Sequence, residues 1–204
     1  MSDLYDTLQK LVRDELAKLR VAELGVVQEV FPNDPGNYDA SVVLRDSDIV
    51  LKHVPLLTPR KGVASVPNVG DLVLVQFVGG DLNRPVISGT LYNDEDRPPE
   101  NQAHELVLHV PAAEAVGSAL RLSVSEASPL TLKLSIGSAL TLVLQDDDPV
   151  VKLDVGGGNA TLRIERSGAV TLESAGDLKL KAGANLNLEA GAELKLKGAV
   201  INLN

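Results

Sequence analysis

Residues 168–204 read GAVTLESAGDLKLKAGANLNLEAGAELKLKGAVINLN, and their spacing decides the fold class. Apolar pairs recur at Val170/Leu172, Leu178/Leu180, Leu186/Leu188 and Leu194/Leu196, a strict period of eight, and Ile201/Leu203 follows one residue early. Leucine alternating with Lys, Thr, Asn or Glu gives each short strand one dry and one wet face. Upstream the same unit returns with a period near ten, in Leu120-Arg121-Leu122, Leu130-Thr131-Leu132-Lys133-Leu134, Leu140-Thr141-Leu142-Val143-Leu144, Val151-Lys152-Leu153-Asp154-Val155 and Leu162-Arg163-Ile164. An internal repeat of this kind outweighs any single motif.

A strand of two or three residues every eight cannot enclose a core by itself, and four octads make too few coils for a single-chain solenoid. Three identical chains, each supplying one side of a prism, would close the dry face and pair the strand edges around an axis. The expectation for 106–204 is therefore a homotrimeric, intertwined β-helix or β-prism. Its core would be Leu178, Leu180, Leu186, Leu188, Leu194 and Leu196, in a needle on the order of 50 Å long at about 4.7–5 Å per rung. Ala, Gly and Ser between the strands suit tight corners. A narrow lumen also fits the aromatic residues, which stop at Tyr92.

That stop marks a change of building rule. Residues 1–105 carry 10 basic and 17 acidic residues, and 106–204 carry 9 and 11. The join NDEDRPPENQAHE, 93–105, contains Pro98-Pro99, which continues neither ladder nor helix, and reads as a linker. Between 24 and 92 lie five short strand patterns, ELGVVQEVF, YDASVVLRD, DIVLKHVPLL, DLVLVQFV and RPVISGTLY. Turn signals such as Asn33-Asp34-Pro35-Gly36, Pro67-Asn68-Val69-Gly70 and Gly79-Gly80-Asp81 separate them. Five strands in so short a span point to a small antiparallel barrel of the OB type. Within 1–23, Leu4, Leu8, Leu11, Val12 and Leu19 share one face of an amphipathic helix, with Ser2 placed to cap it and Asp3 and Asp6 in its first turn. That stripe packs on its own domain or docks on a neighbouring subunit; the sequence leaves both open. The fold expected is thus mainly β, from N-terminal helix through OB barrel to trimeric needle.

Composition excludes several functions. The chain has 204 residues, no cysteine and a formal net charge of -9. Disulfides and thiolate chemistry are absent, and an acidic chain with few rings on its barrel is a poor binder of nucleic acid. No run of about 18 apolar residues offers a membrane span, and the charged start MSDLYDTLQK does not read as a signal peptide, so synthesis in the cytoplasm is expected. His104 and His109 stand five apart within a strand-like run, which does not converge on a metal. Asp146-Asp147-Asp148-Pro149 lacks the glycine and distal glutamate of a calcium loop and reads as a solvated turn. Gly156-Gly157-Gly158-Asn159 has no Gly-Lys-Ser/Thr after it and reads as a corner. No nucleophile context accompanies the three histidines. No enzyme, cofactor or metal site is expected.

The run PNVGDLVLVQF (67–77), then GGDLNRPVISGTLYN (79–93), then Pro98-Pro99, followed by octads, resembles the OB domain of contractile-tail spike proteins. These are the phage baseplate assembly protein V family, the VgrG proteins of type VI secretion, and the spikes of extracellular contractile injection systems. The helix at 3–20 and the phrase VAELGVVQEV resemble the start of the phage-like and extracellular members. The resemblance implies a trimeric central spike in a virion tail or injection particle, with its collar in the baseplate hub below the tail tube and its needle touching a target membrane only on puncture. It also implies hub or tube contacts for Leu4, Leu8 and Leu11, and a separate PAAR-type tip protein on Ile201, Asn202, Leu203 and Asn204. Two features of some relatives are missing: a lysozyme-like domain, for which 93–105 leaves no room, and an apical His-x-His metal site, since no histidine follows His109. A short N-terminal helix in place of a fused hub sets the chain apart from VgrG. A trimeric receptor-binding fibre or adhesin, or a plain OB binding module, are the alternative readings.

Overall fold

The computed structural model describes residues 2–16, 19–31 and 38–201, with the side chains of 2, 3 and 16 left aside. The turn at 33–36, the capping role of Ser2, the contribution of Asp3, and Asn202, Leu203 and Asn204 therefore lie outside the described residues. Two compact units divide at Pro98 and Pro99. The chain is mainly β, with one N-terminal helix and two antiparallel sheets.

In the first unit, α1 (Ser2–Leu16) is followed by β1 (Ala22–Phe31), β2 (Asp39–Leu44), β3 (Val50–Pro55), β4 (Leu72–Phe77) and β5 (Pro85–Leu91). All five expected strands form. They run antiparallel in the order β3-β2-β1-β4-β5, and a parallel bridge from Leu56 to Ile87 brings the last strand back to the first. Closure of five strands in this order is the OB topology. Val27, Ala40, Val42, Leu44, Val54, Val73, Val75, Phe77 and Ile87 fill the barrel. β1 crosses the core so closely that a Cβ on Gly25 would lie 2.3 Å from Val42 Cγ1, so only glycine fits there without repacking. The β4–β5 hairpin turns at Gly79 and Gly80, both at positive φ, and Asp81 Oδ1 accepts the Asn83 N–H at 2.9 Å.

The second unit holds β6 (Glu105–Val110), β7 (Leu120–Ser125), β8 (Thr131–Ile136), β9 (Leu140–Gln145), β10 (Val151–Val155), β11 (Ala160–Ile164) and β12 (Val170–Ser174). Each decad contributes one strand, as its spacing predicts. Their direction differs from a chain winding steadily around an axis: successive strands reverse, and one chain supplies a whole seven-stranded meander in sequence order. The physical reason is length. Ten residues hold a five- or six-residue strand plus a hairpin turn, and the glycines at several of those turns adopt positive φ, at Gly137, Gly156, Gly157, Gly158 and Gly168. Octads have no residues to spare for a reversal, and Gly176, Gly183 and Gly191 stay out of the left-handed region. From Ala175 to Ile201 no strand pairing is made among the described residues.

Candidate functional site

Register decides which side chains share a face of the second sheet, because directly paired residues point the same way. The middle column is Leu108, Leu122, Leu134, Leu142, Leu153, Leu162 and Leu172, leucine on every strand. One flank runs Leu106, Val124, Leu132, Leu144, Val151, Ile164 and Val170. The other runs Val110, Leu120, Ile136, Leu140, Val155, Ala160 and Ser174, so Ser174 is the single polar member of the face. The opposite face carries Arg121, Lys133, Ser135, Thr141, Lys152, Asp154, Thr161, Arg163 and Glu173. Thr161 Oγ1 donates to Glu173 Oε2 there at 3.3 Å.

Among the described residues of the second unit, the strands of the meander pair edge to edge and no second layer packs on the apolar face, whose middle leucines Leu122, Leu134, Leu142, Leu153 and Leu162 are half-buried by their sheet neighbours. Leu106 is 73% exposed, while Ser135 and Thr161 on the polar side are each 7% exposed. Seven strands at about 4.8 Å, each about 20 Å long, give an apolar rectangle on the order of 650 Å². That equals or exceeds the largest patch of a typical monomer, about 300–600 Å², and marks an interaction surface. The octads extend it: Leu178, Leu180, Leu186, Leu188, Leu194 and Leu196 are all more than half exposed, and Ile201 half exposed.

A second apolar stripe lies on α1. Leu4 is 70% exposed, and Leu8, Leu11 and Val12 are more than half exposed, so the first unit leaves this face uncovered. Leu19, expected on the same helical face, is equally half exposed but lies beyond the end of α1: its Cδ2 sits 2.7 Å from where a Cβ on Gly80 would stand, and the Arg20 N–H donates to the Gly80 carbonyl at 3.3 Å.

The polar motifs have local partners. His109 Nε2 lies 2.7 Å from the Glu114 carbonyl oxygen, whereas His104 Nδ1 is 3.9 Å from Glu126 Oε2. Asp148 Oδ1 accepts the Arg166 N–H at 2.6 Å and the Arg166 guanidinium donates to the Asp146 carbonyl, so the aspartate turn is tied to the β11–β12 hairpin. Asp154 Oδ1 accepts the Gly158 N–H at 2.9 Å, which shapes the glycine corner. Among the described residues, no group of three His, Asp or Glu side chains converges as a metal cage. Nor, among the described residues, is any helix long and apolar enough to cross a membrane.

Two features escaped sequence reasoning. Buried Asp39 meets His53 Nδ1 at 3.3 Å, and the imidazole stacks on Phe31 with ring centroids 4.5 Å apart. These three residues come from three strands, and no local signal links them. The uniform leucine column was hidden because its register depends on hairpin lengths that the periodicity does not specify.

Residues 47–92 match the model of the type VI secretion system/phage-baseplate injector OB domain. The match spans β3, β4 and β5 and supports a structural role at a baseplate. No curated protein matches the chain.

Proposed function

We propose that this protein is the structural central spike of a contractile injection machine or phage tail baseplate, acting as a homotrimer. The observation that supports the reading is an injector-type OB domain followed by a sheet with one apolar face, of which Leu106, Leu108, Val110, Val170 and Leu172 are more than half exposed. A triangular prism with sides of about 20 Å has its axis about 6 Å from each face, close to half the ~10 Å spacing of packed sheets. Three copies of the sheet therefore fill such a prism without a void.

The side-chain columns favour three sheets over a two-sheet sandwich. In a sandwich all columns sit at equal depth. In a triangle the middle of each face looks straight at the axis, whereas the sheets converge towards the corners and leave less room. Leucine throughout the middle column, with Val, Ile, Ala and Ser mixed into the flanks, fits the triangle. The strands also shorten, from six residues in β6 to β9 to five in β10 to β12, before the octads begin, so the body tapers.

Function then follows from stiffness. Sheath contraction drives tube and spike forward, and a narrow, edge-paired trimer concentrates the force on a small area of the target envelope, where bonds around all three chains must fail together. No catalytic step is involved. The OB collar sits in the hub beneath the tube, with the Leu4/Leu8/Leu11 stripe as a docking face. The last rung, Ile201 with Asn202, Leu203 and Asn204, receives a PAAR-type tip protein. The place of action is a virion tail or injection particle. Absolute mass by light scattering tests the core of the reading: three times the 21.5 kDa chain mass is expected. A species of one chain mass would overturn it in favour of a lone OB binding module.

A further inference from the structure

The octads that leave the sheet carry a charge pattern with twice their structural period. At the position after the second apolar residue stand Glu173, Lys181, Glu189 and Lys197. Between the two apolar residues stand Thr171, Lys179, Asn187 and Lys195, and before the first stand Ala169, Asp177, Asn185 and Glu193. In all three columns, consecutive octads never repeat a charge, while octads two apart either share the sign of their charge or are both uncharged. In β12, Glu173 lies on the polar face opposite Thr161, which fixes the wet side of the first octad.

Three observations say what this pattern faces. Among the described residues, the outer edge of β12 has no strand beside it and 175–201 makes no strand pairing. The glycines at the octad joints lack the positive φ found at the turn glycines of the meander, so the octads do not fold back on one another. Stacked strands from different copies would therefore run parallel, and like side chains would meet only if the copies were in register or shifted by an even number of octads. Like charges directly opposite are destabilising, and opposite charges stabilise the pair.

We propose that octads 170–197 stack against the neighbouring copies with a shift of one octad, so that Glu173, Lys181, Glu189 and Lys197 form an inter-chain ladder of alternating charge along each edge of the needle. The ladder rests on the three-copy reading above and adds to it a register and a recognition rule. The apolar pairs, nearly identical from octad to octad, cannot select among shifts; the charges do. A shift of zero or two would stack Lys181 on Lys and Glu189 on Glu at every level.

The chain has no cysteine, so paired cysteines read the register directly. Neighbouring parallel positions stand about 4.8 Å apart, within the Cα range of a disulfide. Lys181→Cys with Glu189→Cys, oxidised mildly in the full-length protein, is expected to give a covalent band of three chain masses under denaturing, non-reducing conditions. Glu173→Cys with Lys181→Cys is the second pair and should behave alike. Lys181→Cys alone, and Glu173→Cys with Glu189→Cys, should stay at one chain mass. A two-chain band from the single variant would establish zero shift and overturn the ladder. So would failure of both pairs to cross-link, or a disulfide within one chain, in a protein whose light scattering shows a trimer. A one-chain mass by light scattering would instead overturn the three-copy reading itself.

Discussion

The two units of this chain use the same material, short antiparallel strands rich in Val and Leu, and reach opposite outcomes. The barrel curls its sheet until Leu56 meets Ile87, and its apolar side chains face one another, with Val42, Val54 and Val73 wholly buried. The meander stays open, and a face of almost unbroken leucine, valine and isoleucine is left half-buried at its middle and exposed at Leu106, Leu108, Val170 and Leu172. Curvature makes the difference. The barrel strands carry irregularities at Val27/Glu29, Ala40/Val42 and Leu74/Val75, which bend them, whereas every pairing in the meander is regular. A domain that bends its sheet completes a core alone. One whose pairing stays regular leaves an apolar face open, and in the proposed trimer that face would be shared with other copies.

The largest effect expected from this contrast comes from placing a charge in the middle column. Leu142→Asp leaves the polar face and the hairpins untouched, yet in a trimer it would set three carboxylates around one axis at a cost of about 3–5 kcal/mol or more per assembly. Light scattering should show the loss of the three-chain species, while the barrel keeps its fold. The matched change on the wet side, Thr141→Asp, should leave the trimer intact. A stable trimer from Leu142→Asp would mean that this face is not the shared core.

The next effect runs the other way and should be confined to the barrel. Gly25→Val sets a branched side chain where even a Cβ lies 2.3 Å from Val42 Cγ1 and 3.2 Å from the Val43 carbonyl oxygen. Overpacking of this kind costs about 1–3 kcal/mol. Hydrogen exchange should quicken across β1, β2 and β4, with β6 to β12 protected as before. Loss of protection in both units together would show that they do not fold independently.

Much of this contrast is legible in the residues, and the part that is not has a definite cause. The five barrel strands, the change of rule after Tyr92 and the decad strands follow from alternation and from turn signals such as Asn68-Val69-Gly70. The direction of successive strands does not: an apolar pair every ten residues fits a winding coil and a meander equally, and the choice lies in whether the intervening glycines take positive φ. The Asp39–His53–Phe31 cluster was invisible because it is assembled across three strands. The uncovered stripe of α1 was undecided for a related reason, since amphipathicity states that a face will be buried and not by what.

That stripe gives the smallest effect on stability and the sharpest test of the docking proposed for it. Leu8→Glu with Leu11→Glu changes side chains already more than half exposed, so the unfolding midpoint of the barrel should move by no more than about 0.5 kcal/mol. Trimer mass should be unchanged, because neither residue belongs to the sheet of the second unit. If the proposed role holds, assembly is where the substitution should act: burying two carboxylates against an apolar partner leaves them unpaired, and incorporation of the protein into baseplates should fall by at least tenfold. A drop in barrel stability instead would mean that the helix folds back on its own unit in solution. Normal incorporation would leave the helix without a role in docking.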